Sequence, residues 1–257
     1  MSLVLYSVAN QTAYLTLNRP EKRNALSPEI ITELKNAFDK AEQDASVKVV
    51  VLKANGESFC AGADLNYLQQ LQNFSYEENL ADSQHLKELF LKIYTLKKVV
   101  IAQVQGHALA GGCGLATVCD FTFAVPEAKF GYTEVRIGFI PALVAVFLIR
   151  KIGEQKARHL LLTGELIKAE TAFATGLITQ VVPATELEDR VNQFAQNLIN
   201  QNSAQSMQLT KQLINEVQNL TIGDALTLAA TQNAKARATA DCKKGISAFL
   251  NKQEIKW

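Results

Sequence analysis

The sequence predicts an α/β fold, with strands and helices alternating through the first half and an almost entirely helical second half. Three observations carry this reading. The apolar, β-branched runs VKVVVLKA (47–54) and KVVIAQVQG (98–106) have the composition of buried strands. Stretches with helical periodicity separate them, at the spacing that parallel β/α connections need. From about residue 141 onward, helical patterning takes over.

The elements follow in order. Residues 3–8 and 13–17 read as short strands around a turn at Asn10 and Gln11. A helix then opens with Ser27 as cap, Pro28 at its first position and Glu29 at the positive end of its dipole. Its apolar residues Ile30, Ile31, Leu34, Ala37, Phe38 and Ala41 recur at helical spacing. After the strand at 47–54 comes the glycine-containing loop NGESFCAGAD, then a helix over 77–97 and the strand at 98–106. That strand runs into LAGGCGLATVCD, a glycine-rich turn opening a small-residue helix, and DFTFAV and AKFGY supply further strands. Helices are predicted over 143–152, 155–163, 169–174, 186–200, 204–220 and 222–238, with a short strand near 178–182. The last three helices carry broad alanine and leucine faces suited to packing on the domain or on a sister subunit.

Composition narrows the function. With 257 residues, 48% apolar and 20% charged, the chain suits one substantial domain, or a domain plus a helical appendage. Its 26 basic and 25 acidic residues leave no global field to recruit nucleic acid or an anionic membrane, so an anionic ligand must be met by local groups. Cys60, Cys113, Cys119 and Cys242 form no CxxC pair, and the three histidines form no HExxH. No metal site is expected. The N-terminus lacks the features of a signal peptide, and no apolar window reaches membrane-spanning length. These features predict a soluble protein of a reducing compartment, the cytoplasm.

Two segments could bind negative charge on a carbonyl oxygen, which needs backbone N–H groups and gains from a helix N-terminus. FCAGADL (59–65) places small residues around Gly62 after a buried strand. GHALAGGCGLATVCD (106–120) places Gly111 and Gly112 at a strand-to-helix transition. Each alone is equally well a tight turn with close helix–strand packing. Their pairing, with a strand between, is more specific.

The motifs LNRPEKRNALS, SFCAGADL, IAQVQGHALAGGCGLATVCDF, KFGYTEVRIGFIP and GISAFLNK occur in this order. On them the chain resembles the crotonase, or enoyl-CoA hydratase/isomerase, superfamily over essentially its whole length. The resemblance implies a crotonase/ClpP-like spiral of ββα units (1–195) and a C-terminal helical trimerisation region (196–257). It implies a homotrimer or dimer of trimers, and an acyl-CoA thioester as substrate with no cofactor besides that coenzyme A. By position, the oxyanion donors are the backbone N–H groups of Ala63 and Gly111.

The resemblance also implies an acid/base. Family hydratases place one glutamate three residues after the oxyanion glycine, where this chain has Gly114, and another in FGxxE, where it has Glu134. Two carboxylates can hold one water from two directions, whereas moving a double bond needs only one base. The missing carboxylate therefore shifts weight from hydration toward isomerisation. Against this, TEVRIGFIPALVAVFLIRKIG with Gly114 is similar to a bacterial branch assigned as methylglutaconyl-CoA hydratase, in which 142–145 (ALVA) replace a Gly-Gly-Thr-Gln stretch. The leading reading is an enoyl-CoA hydratase, for example of 3-methylglutaconyl-CoA in leucine degradation. The alternative is a Δ3,Δ2-enoyl-CoA isomerase using Glu134 alone.

For coenzyme A the resemblance implies Lys22, Arg23 and Ala25 beside the first capped helix, and Ala61, Ala63, Asp64 and Leu65 along the adenine. Gly111 completes this part of the site, with Phe249 and Lys252 contributed from the C-terminal helix, often to a neighbouring subunit. Arg136 reads as a structural ion pair before a contact to a substrate carboxylate. His107 reads as packing or a local hydrogen bond, Asp120 as an acceptor for buried backbone donors, and Cys113 and Cys119 as core. The absence of GxSxG argues against a serine hydrolase, and the absence of arginine-rich or RNP-type motifs argues against RNA binding.

Overall fold

A computed structural model describes residues 2–255 and 257. Strands β1 (Val4–Ala9) and β2 (Thr12–Leu17) form the predicted hairpin. Asn10 and Gln11 take φ of 48° and 60°, the left-handed pair that a two-residue turn uses to match strand twist. Helix α1 (Pro28–Gln43) begins as its sequence dictates, with Ser27 Oγ accepting from Ile30 N, and its six predicted apolar residues are all buried. At its other end Lys98 Nζ donates to the Ala41 carbonyl at 2.6 Å, satisfying an orphan acceptor.

Three units of two strands followed by helix come next. The first is β3 (Val49–Ala54) and β4 (Ser58–Cys60), leading to α2 (Leu65–Leu71) and α3 (Tyr76–Thr95). The second is β5 (Val99–Val104) and β6 (His107–Leu109), leading to α4 (Gly111–Val118). The third is β7 (Phe121–Ala124) and β8 (Lys129–Gly131), leading through a 3-10 turn at Glu134–Ile137 to α5 (Ala142–Ile152) and α6 (Glu154–Thr163). The chain continues through β9 (Ile167–Lys168), α7 (Ala169–Thr175) and β10 (Gln180–Val181). The first strand of each unit enters a six-stranded sheet, ordered β1-β2-β3-β5-β7-β10, and the second enters a four-stranded sheet, ordered β4-β6-β8-β9. This is the spiral of ββα units. The strands β4, β6 and β9 and the helix α2 were not predicted, because two to seven residues are too few to show a period.

The remaining helices are α8 (Leu187–Gln201), α9 (Ala204–Val217), α10 (Ile222–Arg237) and α11 (Ala240–Leu250). Helix α8 packs on β3, β5 and β7 through a face that includes Val191, Ala195 and Ile199. The division expected after residue 195 therefore falls within one continuous helix seated on the large sheet. Helix α9 still touches β5, whereas α10 and α11 pack chiefly on α9 and on each other. They bury no residue of their own, leaving Ile222, Leu226, Phe249 and Leu250 exposed.

One charged cluster joins α9 to the sheet. Asp120 Oδ2 accepts from Val100 N at 2.7 Å, as its reading as a backbone acceptor anticipated. The same oxygen pairs with Lys211 Nζ at 2.7 Å, and Lys211, buried on α9, also donates to the Lys98 carbonyl at 3.1 Å. Removing one partner leaves the other with a desolvated charge. Asp120→Ala should therefore destabilise the fold by about 3 kcal/mol or more, read as a lowered urea midpoint.

Candidate functional site

In the small sheet β4, β6 and β8 are parallel neighbours, with β6 in the middle. Three segments leave their C-terminal ends: 61–64 after β4, Ala110 and Gly111 after β6, and 132–134 after β8. Ala63, Gly111 and Glu134 are thus gathered at one edge. The carboxyl ends of parallel strands are where α/β folds open ligand crevices.

The first two segments meet closely. Gly62 has φ +94°, and a Cβ built on it would lie 2.9 Å from Ala110 Cβ and 3.8 Å from the Gly111 nitrogen. Leu26 N donates to the Gly62 carbonyl at 2.7 Å, and Asp64 N donates to the Leu26 carbonyl at 2.9 Å. That alternation turns the Ala63 amide to the opposite side, where no described residue accepts from it. Gly111 is the first residue of α4, so its N–H has no partner within the helix. Ala110, at φ 49°, donates to the Gly131 carbonyl at 2.8 Å, and its own carbonyl accepts from Gly114 N at 3.0 Å. Two amides on touching turns, one at a helix N-terminus, make a corner able to hold an oxygen anion.

Glu134 opens the 3-10 turn after β8. Its Oε2 is buried and accepts from no described residue. Burial pushes its carboxyl above the ordinary value, a rise its own backbone amide offsets only in part. A buried carboxylate oxygen left without a donor is costly, and a raised carboxyl so placed is a candidate for proton transfer. The approach is held by Tyr132, fully buried, whose hydroxyl lies 2.7 Å from Thr117 Oγ1, while Thr117 Oγ1 donates to the Cys113 carbonyl. This links the end of β8 to α4. Burial pushes the Cys113 thiol up to about 11 and that of Cys119 to about 12, so both are inert core groups as read.

Gly114 lies one helical turn beyond Gly111. A Cβ there would stand 2.5 Å from Val144 Cγ1 and 2.9 Å from Phe90 Cζ. The place expected to lack a carboxylate is therefore occupied by two apolar side chains.

Most of the residues assigned to coenzyme A are adjacent. Ala61 N donates to the Arg23 carbonyl at 3.0 Å, which sets Lys22, Arg23 and Ala25 alongside 61–65. Lys22, Arg23, Ala63 and Leu65 are exposed, whereas Ala25 is buried. Asn24 braces the strip, with Nδ2 donating to the Asn55 and Ser58 carbonyls, both at 2.8 Å, and Oδ1 accepting from Arg19 N. The Asp64 side chain caps α2 and pairs with Arg19 Nη1 at 2.8 Å. Burial pushes its carboxyl up, but the Tyr67 and Asn66 amides and Arg19 outweigh that and hold it below the usual value. Phe249 and Lys252 are exposed on and just beyond α11, which packs on α9 and α10, so within one chain they are not joined to this strip.

Arg136 corrects an expectation. It forms no ion pair among the described residues, and its side chain lies across Gly164, whose added Cβ would be 3.1 Å from Arg136 Nε. His107 makes the local bond expected of it, Nδ1 accepting from Lys129 N at 3.3 Å. The described residues contain no cluster of three or more metal-ligating side chains. Arg19 and Asn24 lay within a quoted motif but carried no periodic or charge signal of their own. Phe90 and Val144 read as ordinary helix-core positions.

The enoyl-CoA hydratase/isomerase family model matches residues 7–257. A Thermus thermophilus protein with a provisional enoyl-CoA hydratase name is 43% identical over 94% of this chain and 95% of its own. The crotonyl-CoA hydratase of Syntrophomonas wolfei is 34% identical over 98% of this chain and 96% of its own. Among solved structures, an enoyl-CoA hydratase of Mycobacterium smegmatis superposes with a TM-score of 0.94 at 32% identity, covering 99% of this chain and 98% of the other.

Because Gly62 needs its positive φ and touches Ala110, Gly62→Ala should destabilise the protein by about 2–4 kcal/mol, seen as a lowered urea midpoint.

Proposed function

We propose, because this chain belongs to the enoyl-CoA hydratase/isomerase family, that it hydrates a 2-enoyl-CoA thioester with Glu134 as its acid/base. The observation that carries the reading is Glu134 itself, whose Oε2 is buried without a partner on a segment that leaves the same sheet edge as two unpartnered backbone amides. The Ala63 and Gly111 amides hold the thioester oxygen as it gains charge. Water adds with its hydroxyl to Cβ and a proton to Cα, and Glu134 takes the proton from water and delivers one to carbon. Such a site needs no cofactor beyond the coenzyme A of the substrate. Lys22, Arg23 and Ala25, with Ala61, Asp64 and Leu65, form the coenzyme A strip. The apolar residues left exposed on α10 and α11 support a homotrimer or dimer of trimers, in which Phe249 and Lys252 serve a neighbouring subunit.

For the acyl group we favour a branched, carboxylated enoyl chain such as that of 3-methylglutaconyl-CoA. This rests on the sequence run around Gly114 and 142–145. A second reading, Δ3,Δ2-enoyl-CoA isomerisation, is favoured by one specific observation, the absence of room for any side chain at Gly114. In that reaction Glu134 removes a proton from Cα and returns it to Cγ.

Purified enzyme assayed with crotonyl-CoA, 3-methylglutaconyl-CoA and a 3-enoyl-CoA separates these readings. Hydration of a 2-enoyl substrate is expected, and turnover of the 3-enoyl substrate alone would favour the isomerase. Glu134→Gln should lower kcat by about 10²–10⁴-fold with an unchanged circular dichroism spectrum. A fully active variant would remove Glu134 from the mechanism.

Stability gives an independent check. A carboxyl whose pKa is raised on folding stabilises the fold fully below its unfolded value, and loses that contribution as pH rises through the folded value. Glu134→Gln, which cannot ionise, should therefore unfold at a higher temperature than wild type at neutral pH. The difference should vanish in acid below the ordinary carboxylate range.

A further inference from the structure

We propose that Val144 and Phe90 are specificity-determining residues, which by filling the space beside Gly114 confine the site to the single carboxylate of Glu134. The inference deepens the reading above and rests on it. Helical spacing sets Gly114 one turn along α4 from Gly111, and positions three apart share a face. Glu134 approaches that same helix, since Tyr132 is bonded to Thr117 and the Gly131 carbonyl accepts from Ala110 N. The helix carrying Val144 starts shortly after the Glu134 turn and packs on α4. The plug therefore stands at the end of α4 where the proposed chemistry occurs.

Neither side chain yields easily. Val144 is 4% exposed in the first turn of α5, and its β-branch restricts it to one dominant rotamer in a helix. Phe90 is fully buried on α3 and stands edge-on to Phe147, with ring centres 6.3 Å apart at 84°. Phe147 in turn packs against Tyr94 at 5.1 Å. A methyl group at position 114 would meet Val144 Cγ1 at 2.5 Å, well inside contact distance, and a carboxylate would add a charge among apolar neighbours.

The chemical consequence concerns water. Hydration adds H₂O across the double bond and gains when the attacking water is held from two sides. The proton shift from Cα to Cγ adds nothing and needs one base. Val144 and Phe90 thus act on the ratio of the two reactions by excluding the second group that would hold the water.

The test is a set of variants read for thermal unfolding and for the ratio of 2-enoyl-CoA hydration to 3-enoyl-CoA isomerisation. Gly114→Ala probes volume alone. It should lower Tm by about 5 °C, and adding Val144→Ala should raise Tm back toward wild type instead of lowering it further. An unchanged Tm for Gly114→Ala, or a further loss on adding Val144→Ala, overturns the proposal. Gly114→Glu combined with Val144→Gly should shift the activity ratio toward hydration by about tenfold or more. If that double variant folds and its ratio stays at the wild-type value, the proposal is also overturned. Should it not fold, Gly114→Asp with Val144→Ala takes its place under the same criterion. A wild-type enzyme that turns over neither substrate defeats the functional reading, and the plug is then judged on the two Tm changes.

Discussion

The backbone of the second unit runs so close to that of the first that a Cβ at Gly112 would lie 2.2 Å from the Cys60 carbonyl, and the arrangement of the site follows from that approach. Close contact between the start of α4 and the end of β4 fixes the 61–64 turn against Gly111. The pairing of β6 with β8 brings the Glu134 segment to the same edge. None of the three strands exceeds three residues, so their own ladder bonds are few. What holds them is the larger sheet, whose β3, β5 and β7 are joined to them by short loops, and the glycines that permit the approach.

The electrostatics is local, as a net charge of +1 requires. Helix α4 shows the principle at its two ends. Its N-terminus offers unpaired amides to a ligand, while at its C-terminus Lys151 Nζ donates to the Thr117 and Cys119 carbonyls at 2.8 and 2.7 Å. Burial pulls the Lys151 pKa below its ordinary value, yet the carbonyls it satisfies would otherwise be orphaned. Lys98 and Lys211 do similar work at the end of α1 and beneath α9. Buried and half-buried lysines here close helix ends and anchor helices, and the cations assigned to coenzyme A are exposed.

Much of this was legible in the sequence. The periodicity of α1 identified its whole buried face, and the cap at Ser27 gave its first residue, because apolar spacing and capping chemistry are local signals. The three segments of the candidate site were each marked by a motif, and the chain brings them to one edge. Distances across the spiral were not legible. Nothing local distinguishes Val144 from any apolar residue of an amphipathic helix, although its neighbour in space is Gly114. The same holds for Lys211, whose partner Asp120 is remote in the chain, and for Arg19, paired with Asp64. The ion pair expected for Arg136 failed for this reason too, since charge in a sequence does not reveal what faces it.

The division of labour between the strands has an evolutionary consequence. The two free amides lie on the segments after β4 and β6, which are braced against each other and, through Arg23 and Leu26, against the strip that leads into α1. Glu134, the acid/base we propose, arrives separately on the segment after β8, and the wall beside Gly114 comes from α3 and α5. These parts can therefore diversify at different rates. Substitutions after β8 or in the first turn of α5 alter the groups around Glu134 and Gly114 without disturbing the free amides of Ala63 and Gly111. On the proposed reading such a scaffold is modular: charge stabilisation belongs to the backbone, and the side chains around it can be exchanged separately.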